Sequence, residues 1–123
     1  MARKILFIED EEYLQMTLGE RLKEEGYEIL TALDGELGLE TAQKEQPDLI
    51  LLDLILPKKD GFEVLEELKK SEELEHIPVI VLTNLEESRD IQRVLDAGAT
   101  TYLVKANYEM EEVVKKIKNV LHE

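Results

Sequence analysis

The sequence predicts an α/β fold: a doubly wound parallel sheet of five strands with a helix after each, (βα)5, forming one domain over residues 1–123. Three observations predict it. Short apolar runs alternate with amphipathic segments along the whole chain. Three of those runs, beginning at Ile5, Leu49 and Val79, are almost continuously apolar, as strands buried on both faces of a parallel sheet must be. Glycine and proline mark the joints, and no linker, low-complexity tract or repeat interrupts the pattern.

Strands are expected at residues 5–8, 28–31, 49–52, 79–82 and 101–104. The first helix places Leu14, Leu18 and Leu22 at i+4 spacing and stops near Gly26, a C′ glycine. The second runs over 35–44 and ends before Pro47, because the residue before proline is driven out of the helical region. A third follows Asp60-Gly61 and carries Phe62, Leu65 and Leu68. Ile91, Val94 and Leu95 define the fourth, which ends at Gly98. The last sets Met110, Val113, Val114, Ile117, Val120 and Leu121 on one stripe. Strand-helix repeats of this kind close through right-handed crossovers, with helices on both faces.

Composition narrows the function classes. At 43% hydrophobic and 36% charged residues, the chain reads as globular and not disordered. No apolar run approaches the roughly 20 residues that span a bilayer, and the N-terminus lacks a signal-peptide pattern. Cysteine is absent, so disulfides and thiolate catalysis are excluded and a cytoplasmic setting is expected. A formal charge of −14 disfavours nucleic acid and anionic membrane as direct partners, since both need basic surface.

The feature with most chemical content is Glu9-Asp10-Glu11, directly after the first apolar run, together with Asp53 at the end of the third. Carboxylates crowded at strand ends repel one another. A hard divalent cation relieves that repulsion, and Mg²⁺ takes one or two carboxylates while keeping positions open for phosphate oxygens and water. If the two strands are parallel neighbours, their acids meet at the C-terminal edge of the sheet, where ligands of open α/β folds bind. That combination points to phosphoryl chemistry.

Taken together, these residues resemble the receiver domain of two-component response regulators, chemotaxis-regulator-like, over essentially the whole chain. The resemblance rests on Glu9-Asp10, Asp53, Pro57 with Asp60-Gly61, Thr83, Gly98-Ala99, Tyr102 and Lys105, in that order at successive strand ends. It implies a flavodoxin-like sheet of order 2-1-3-4-5. It implies that Asp53 accepts a phosphoryl group from a phosphohistidine, a carboxylate being ionised at neutral pH without a base. Asp10 directly, Glu9 through water and the backbone carbonyl of Ile55 would hold Mg²⁺ or Mn²⁺. Lys105 would set its ammonium against the phosphoryl oxygens, or against Asp53 beforehand. Thr83 would donate its hydroxyl to a phosphoryl oxygen, and Tyr102 would turn inward after it, giving a two-state switch. Self-phosphorylation and slow self-dephosphorylation would be its only turnover, so it is not read as an enzyme.

Each residue also has a plain structural reading. Acids at positions 9–12 can cap a helix, Asp53 can close a turn, and Thr83, Tyr102 and Lys105 can be strand, packing and surface residues. His76 and His122 sit in polar surroundings and are expected to be exposed, without a role. The family usually has proline after the lysine, in a cis bond; here Ala106 follows, which leaves both a trans and a strained cis bond open. Asn84 is bulkier than the family's small residue and would hinder an inward Tyr102. Ile55 and Leu85 are apolar where polar side chains would orient water, which predicts slow loss of the phosphoryl group.

The first helix and the loop after Thr83 resemble the surface that docks a sensor histidine kinase or phosphotransfer protein. The fourth helix, last strand and last helix resemble the output face, which would bind an unidentified downstream protein. The chain is expected to be a stand-alone monomeric receiver, with pairing through that face, and origin as a piece of a longer regulator, left open. Two rival readings fit the residues less well. A phosphorylation-independent receiver-fold binding module would have lost Asp53, Asp10 or Lys105, and all are present. A phosphatase of the haloacid dehalogenase type needs a second Asp two residues beyond its nucleophile, where Ile55 stands.

Overall fold

The computed structural model describes residues 2–84, 88–105 and 109–123, with Ser88 described by its backbone. Five strands, β1 (Lys4–Ile8), β2 (Glu28–Ala32), β3 (Leu49–Leu52), β4 (Val79–Thr83) and β5 (Thr101–Val104), alternate with five helices. The helices are α1 (Glu12–Glu24), α2 (Gly35–Glu45), α3 (Gly61–Lys70), α4 (Ser88–Asp96) and α5 (Met110–Val120). The sheet is parallel, in the order β2-β1-β3-β4-β5.

Alternation along each central strand divides the core in two. Leu6, Ile8, Ile50, Leu52, Val79 and Val81 face α2, α3 and α4, meeting Leu39, Ala42, Leu65, Leu68 and Val94. Ile5, Phe7, Leu49, Leu51, Ile80 and Leu82 face α1 and α5, meeting Leu14, Leu18, Leu22, Val113 and Ile117. Most of these side chains are wholly excluded from water. A strand buried on both faces has no polar side to display, which is why β1, β3 and β4 read as unbroken apolar runs.

Local signals set the element ends. Asp34 and Asp60 cap α2 and α3, each accepting a backbone N–H three residues on, at 2.7 and 3.1 Å. Gly26 and Gly98, at φ 99° and 107°, turn the chain out of α1 and α4 in a region that L side chains avoid. Helix α4 buries its apolar residues unequally. Val94 is buried, whereas Leu95 is 38% exposed and Ile91 only half-buried. Adjacent residues lie about 100° apart around a helix, and in α4 it is Val94 that turns to the sheet while Leu95 lies at the rim of the apolar face.

The register decides where the acids go. Ile8 pairs with Leu52 across β1 and β3, and Asp53 N–H donates to the Ile8 carbonyl at 3.0 Å. Glu9 N–H donates to the Ala32 carbonyl of β2, also at 3.0 Å. Glu9 and Asp53 therefore leave neighbouring strands at the same level. On the far side of Asp53, Gly61 N–H returns to the Leu54 carbonyl at 2.8 Å. A Cβ at Gly61 would overlap the Asp53 carbonyl oxygen and the Leu54 Cα, so the start of α3 lies against the backbone that carries Asp53. Replacing Gly61 with Ala is expected to destabilise the fold by about 1–3 kcal/mol, as overpacked sites do. Urea unfolding checks this, and wild-type stability would refute the close approach.

Candidate functional site: an acidic cleft with a buried lysine

Glu9, Asp10 and Asp53 come together at the C-terminal edge of the sheet, one carboxylate oxygen of each lying within 4.8 Å of the others. Glu9 and Asp53 are buried and Asp10 is exposed. Lys105 follows directly after β5, where Thr83 pairs with Val104. From there its side chain reaches back past β4, and its ammonium lies 3.0 Å from Asp53 Oδ2 and 2.7 Å from Glu9 Oε1, with Glu11 Oε1 at 3.5 Å. That side chain is only 8% exposed. The Asp53 contact is a hydrogen bond, whereas Glu9 Oε1 is held as an ion pair without a well-angled donor.

The electrostatics follow from this crowding. Burial pushes the Glu9 carboxyl up to about 7, against the opposing pull of Lys105 and of the Glu11 N–H, which donates to Glu9 Oε2 at 3.0 Å; Asp53 adds to the rise. For Lys105, burial favours the neutral amine, but the close carboxylates of Glu9 and Asp53 outweigh it and raise the pKa. The lysine is therefore a fixed cation among carboxylates. Hard carboxylate oxygens, a mouth opened by the exposed Asp10 and an incompletely partnered buried Glu9 oxygen together fit a hard divalent cation.

Asp10, Glu11, Asp53, Ile55, Asn84 and Lys105 line a cleft of about 230 Å³ over this cluster. Ile55 stands at its rim, 62% exposed, so its side chain screens one edge of the cleft and does not roof it. Thr83 is buried, and among the described residues its hydroxyl has no hydrogen-bond partner. Tyr102 is half-buried. Between Thr83, Tyr102 and α4 lies a void of about 10 Å³, room for one water at most. An inward phenol would need Thr83 or α4 to give way. Asn84 is exposed and lines the cleft, and it is not among the residues that line that void. Leu85 and the Lys105–Ala106 bond lie outside the described residues. His76 and His122 are exposed.

The acids do not serve as ordinary caps. Helix α1 begins after Glu11, which makes no side-chain cap, and Asp53 Oδ1 has only a long 3.4 Å contact from Ile55 N–H. One residue escaped the sequence reading. Gln15 is buried on α1, and the two hydrogens of its side-chain amide are shared among the carbonyls of Phe7, Glu9 and Ala32. A polar residue i+4 before Gly19 and i+7 before Leu22, on the face that meets the sheet, was the available signal.

Residues 5–118 match the response regulator receiver domain family. The chain belongs to that family. Its receiver domains are phosphorylation-dependent switches of two-component signalling. A curated relative, the alkaline phosphatase synthesis transcriptional regulatory protein PhoP of Bacillus subtilis, is 39% identical over 121 residues, covering 98% of this chain and 49% of that protein. The chain spans about half the length of the curated relatives it matches. Among solved structures, the chemotaxis protein CheY4 of Vibrio cholerae superposes with a TM-score of 0.90 at 29% identity, covering 98% of this chain and 99% of that one. The receiver domain of a sensor histidine kinase from Pseudomonas aeruginosa PAO1, with magnesium coordinated in its active-site cleft, superposes with a TM-score of 0.90 at 27% identity and full coverage of both chains. No helix among the described residues is long and apolar enough to cross a membrane.

Lys105→Met tests the charge balance. Removing one partner of a buried ion pair leaves like charges facing each other, at a cost of about 3–5 kcal/mol. The variant is expected to lose that much stability without metal and to recover most of it in Mg²⁺. Equal stability in both conditions would show that the carboxylates do not share a cation site.

Proposed function

We propose that residues 1–123 form a single receiver domain in which Asp53 accepts a phosphoryl group from a phosphohistidine. The observation that carries this is the Lys105 ammonium held against Asp53 and Glu9 where three carboxylates converge. Such crowding is unfavourable for a structural cluster, whereas a phosphoryl-transfer site needs cationic charge placed in advance.

In the proposed reaction an Asp53 carboxylate oxygen attacks phosphorus while the bond to the donor's imidazole nitrogen breaks, and the imidazole leaves. Lys105 is already hydrogen-bonded to Asp53 and would turn to the phosphoryl oxygens as they arrive. Thr83, with its buried and unpartnered hydroxyl, would donate to one of them. Glu9, Asp10, Asp53 and the Ile55 backbone carbonyl would hold Mg²⁺, or Mn²⁺ in its place; the ion, when bound, supplies positive charge against the phosphoryl oxygens. Movement of Thr83 would free the space that Tyr102 needs, and so relay the change to β5, α4 and α5.

The donor is a sensor histidine kinase or phosphotransfer protein. A cavity of about 520 Å³ beside Lys105, walled by Tyr13 and Thr17 of α1 and Met110 of α5, suits its approach, and Tyr13 and Met16 are exposed at 77% and 56%. The downstream partner is a protein that reads the α4-β5-α5 face, where a second copy could also pair. The −14 charge argues that this segment does not touch nucleic acid or membrane itself, and a cytoplasmic setting fits a phosphohistidine donor.

Intact-mass spectrometry after incubation with acetyl phosphate tests the proposal. A gain of one phosphoryl group that requires Mg²⁺ or Mn²⁺ and is absent in Asp53→Ala is expected. A gain that persists in Asp53→Ala would overturn it, and no gain even from a histidine kinase would leave a binding module. Ile55→Asn is expected to shorten the lifetime of the phosphoprotein, because a polar rim can orient water that the apolar one does not; an unchanged decay rate would refute screening.

A further inference from the structure

We propose that Gln15 is a positioning residue for the metal and phosphoryl site, its side-chain amide fixing the backbone from which Glu9 and Asp10 project. The proposal rests on the reading of Glu9, Asp10 and Asp53 as a cation-holding group. Its basis is the way the edge of the sheet ends. The β1–β2 register stops at Ile8 and Ala32, so Glu9 lies one residue beyond the ladder. Its N–H is still matched by the Ala32 carbonyl, but its own carbonyl has left the strand pairing. Gln15 Nε2 supplies a donor there at 3.2 Å, and reaches the Ala32 and Phe7 carbonyls at 3.0 and 3.3 Å. Only the NH₂ end of the amide can face carbonyls, so its orientation is fixed by chemistry.

These bonds close a compact frame around the acids. Gln15 N–H donates to the Glu11 carbonyl at 3.0 Å, and Glu11 N–H donates to the Glu9 carboxylate at 3.0 Å. Helix α1, β1 and the end of β2 are thereby tied at one point beneath Glu9. Packing alone would be served by an apolar residue, since Leu14, Leu18 and Leu22 occupy the same helix face. A buried amide spent on strand-end carbonyls has a different result: it denies the Glu9–Glu11 segment the freedom to recoil from its own charge. Outer partners that orient metal ligands typically carry a tenfold or larger share of metal affinity.

The test compares the wild-type chain with Gln15→Met, which keeps length and volume but has no donor, and Gln15→Arg, which restores N–H donors. Calorimetric titration with Mg²⁺ and amide hydrogen exchange of the metal-free proteins are measured together. Gln15→Met is expected to weaken Mg²⁺ binding about tenfold and to speed exchange at residues 9–11, leaving β3 and β4 protected; Gln15→Arg is expected to recover both. Unchanged affinity and unchanged exchange at 9–11, or exchange rising equally through β3 and β4, would overturn the proposal. In the wild type, the Gln15 side-chain amide resonance is expected to shift with Mg²⁺ at the same Kd as the Glu9 and Asp10 amides, a readout that survives a variant that does not fold. A Gln15 amide indifferent to bound Mg²⁺ would also overturn the proposal. Should the wild type bind no Mg²⁺ at all, the cation-site reading fails separately, and the exchange data still decide whether Gln15 holds the segment.

Discussion

An ammonium held between two buried carboxylates is the interaction on which the working edge of this protein depends. Glu9 and Asp53 leave adjacent strands at one level, shielded from water, with Asp10 beside them. In a medium of reduced dielectric their repulsion is severe, and positive charge close by relieves it. Lys105 provides that charge from β5, two strands away from Asp53's own. The same arrangement makes the site receptive. An incoming phosphoryl group offers the lysine new oxygens, and a divalent cation offers the carboxylates a stronger partner.

The rest of the fold serves that constraint. A parallel sheet sends the C-terminal ends of β1, β3, β4 and β5 to one edge, so that residues far apart in sequence meet without any long loop. Separate hydrophobic layers on the two faces keep the strands rigid. Gly61 lets α3 lie against the backbone of Asp53, and Gln15 binds α1 to the backbone of Glu9. Thr83, between the carboxylates and β5, faces a void too small for a phenol, so an inward Tyr102 needs Thr83 or α4 to move.

Much of this was legible in the sequence because the physics leaves a local trace. Strands buried on both faces must be apolar throughout, and Glu9, Asp10, Asp53 and Lys105 are charges placed directly at strand ends. What was not legible depends on contacts between elements. Val94 and Leu95 are both apolar, and only packing against the sheet reveals that Val94 turns inward. The acidic pair gives no hint that Glu9 is buried and Asp10 exposed. Gln15 reads as a solvated polar residue until β1 and β2 are set beneath α1. The strand order came from the family resemblance, since alternation alone fixes parallel connections but not their sequence across the sheet.

The central claim is that this edge exists to carry a covalent phosphoryl group on Asp53, and chemical trapping tests it most directly. Borohydride reduces an acyl phosphate to an alcohol, so reduction of the phosphorylated protein followed by peptide mapping would convert that one aspartate to homoserine. The account predicts homoserine at position 53 and nowhere else, only in protein treated with both phosphodonor and Mg²⁺. Conversion at another carboxylate, or phosphate recovered on a histidine or serine with Asp53 intact, would contradict it.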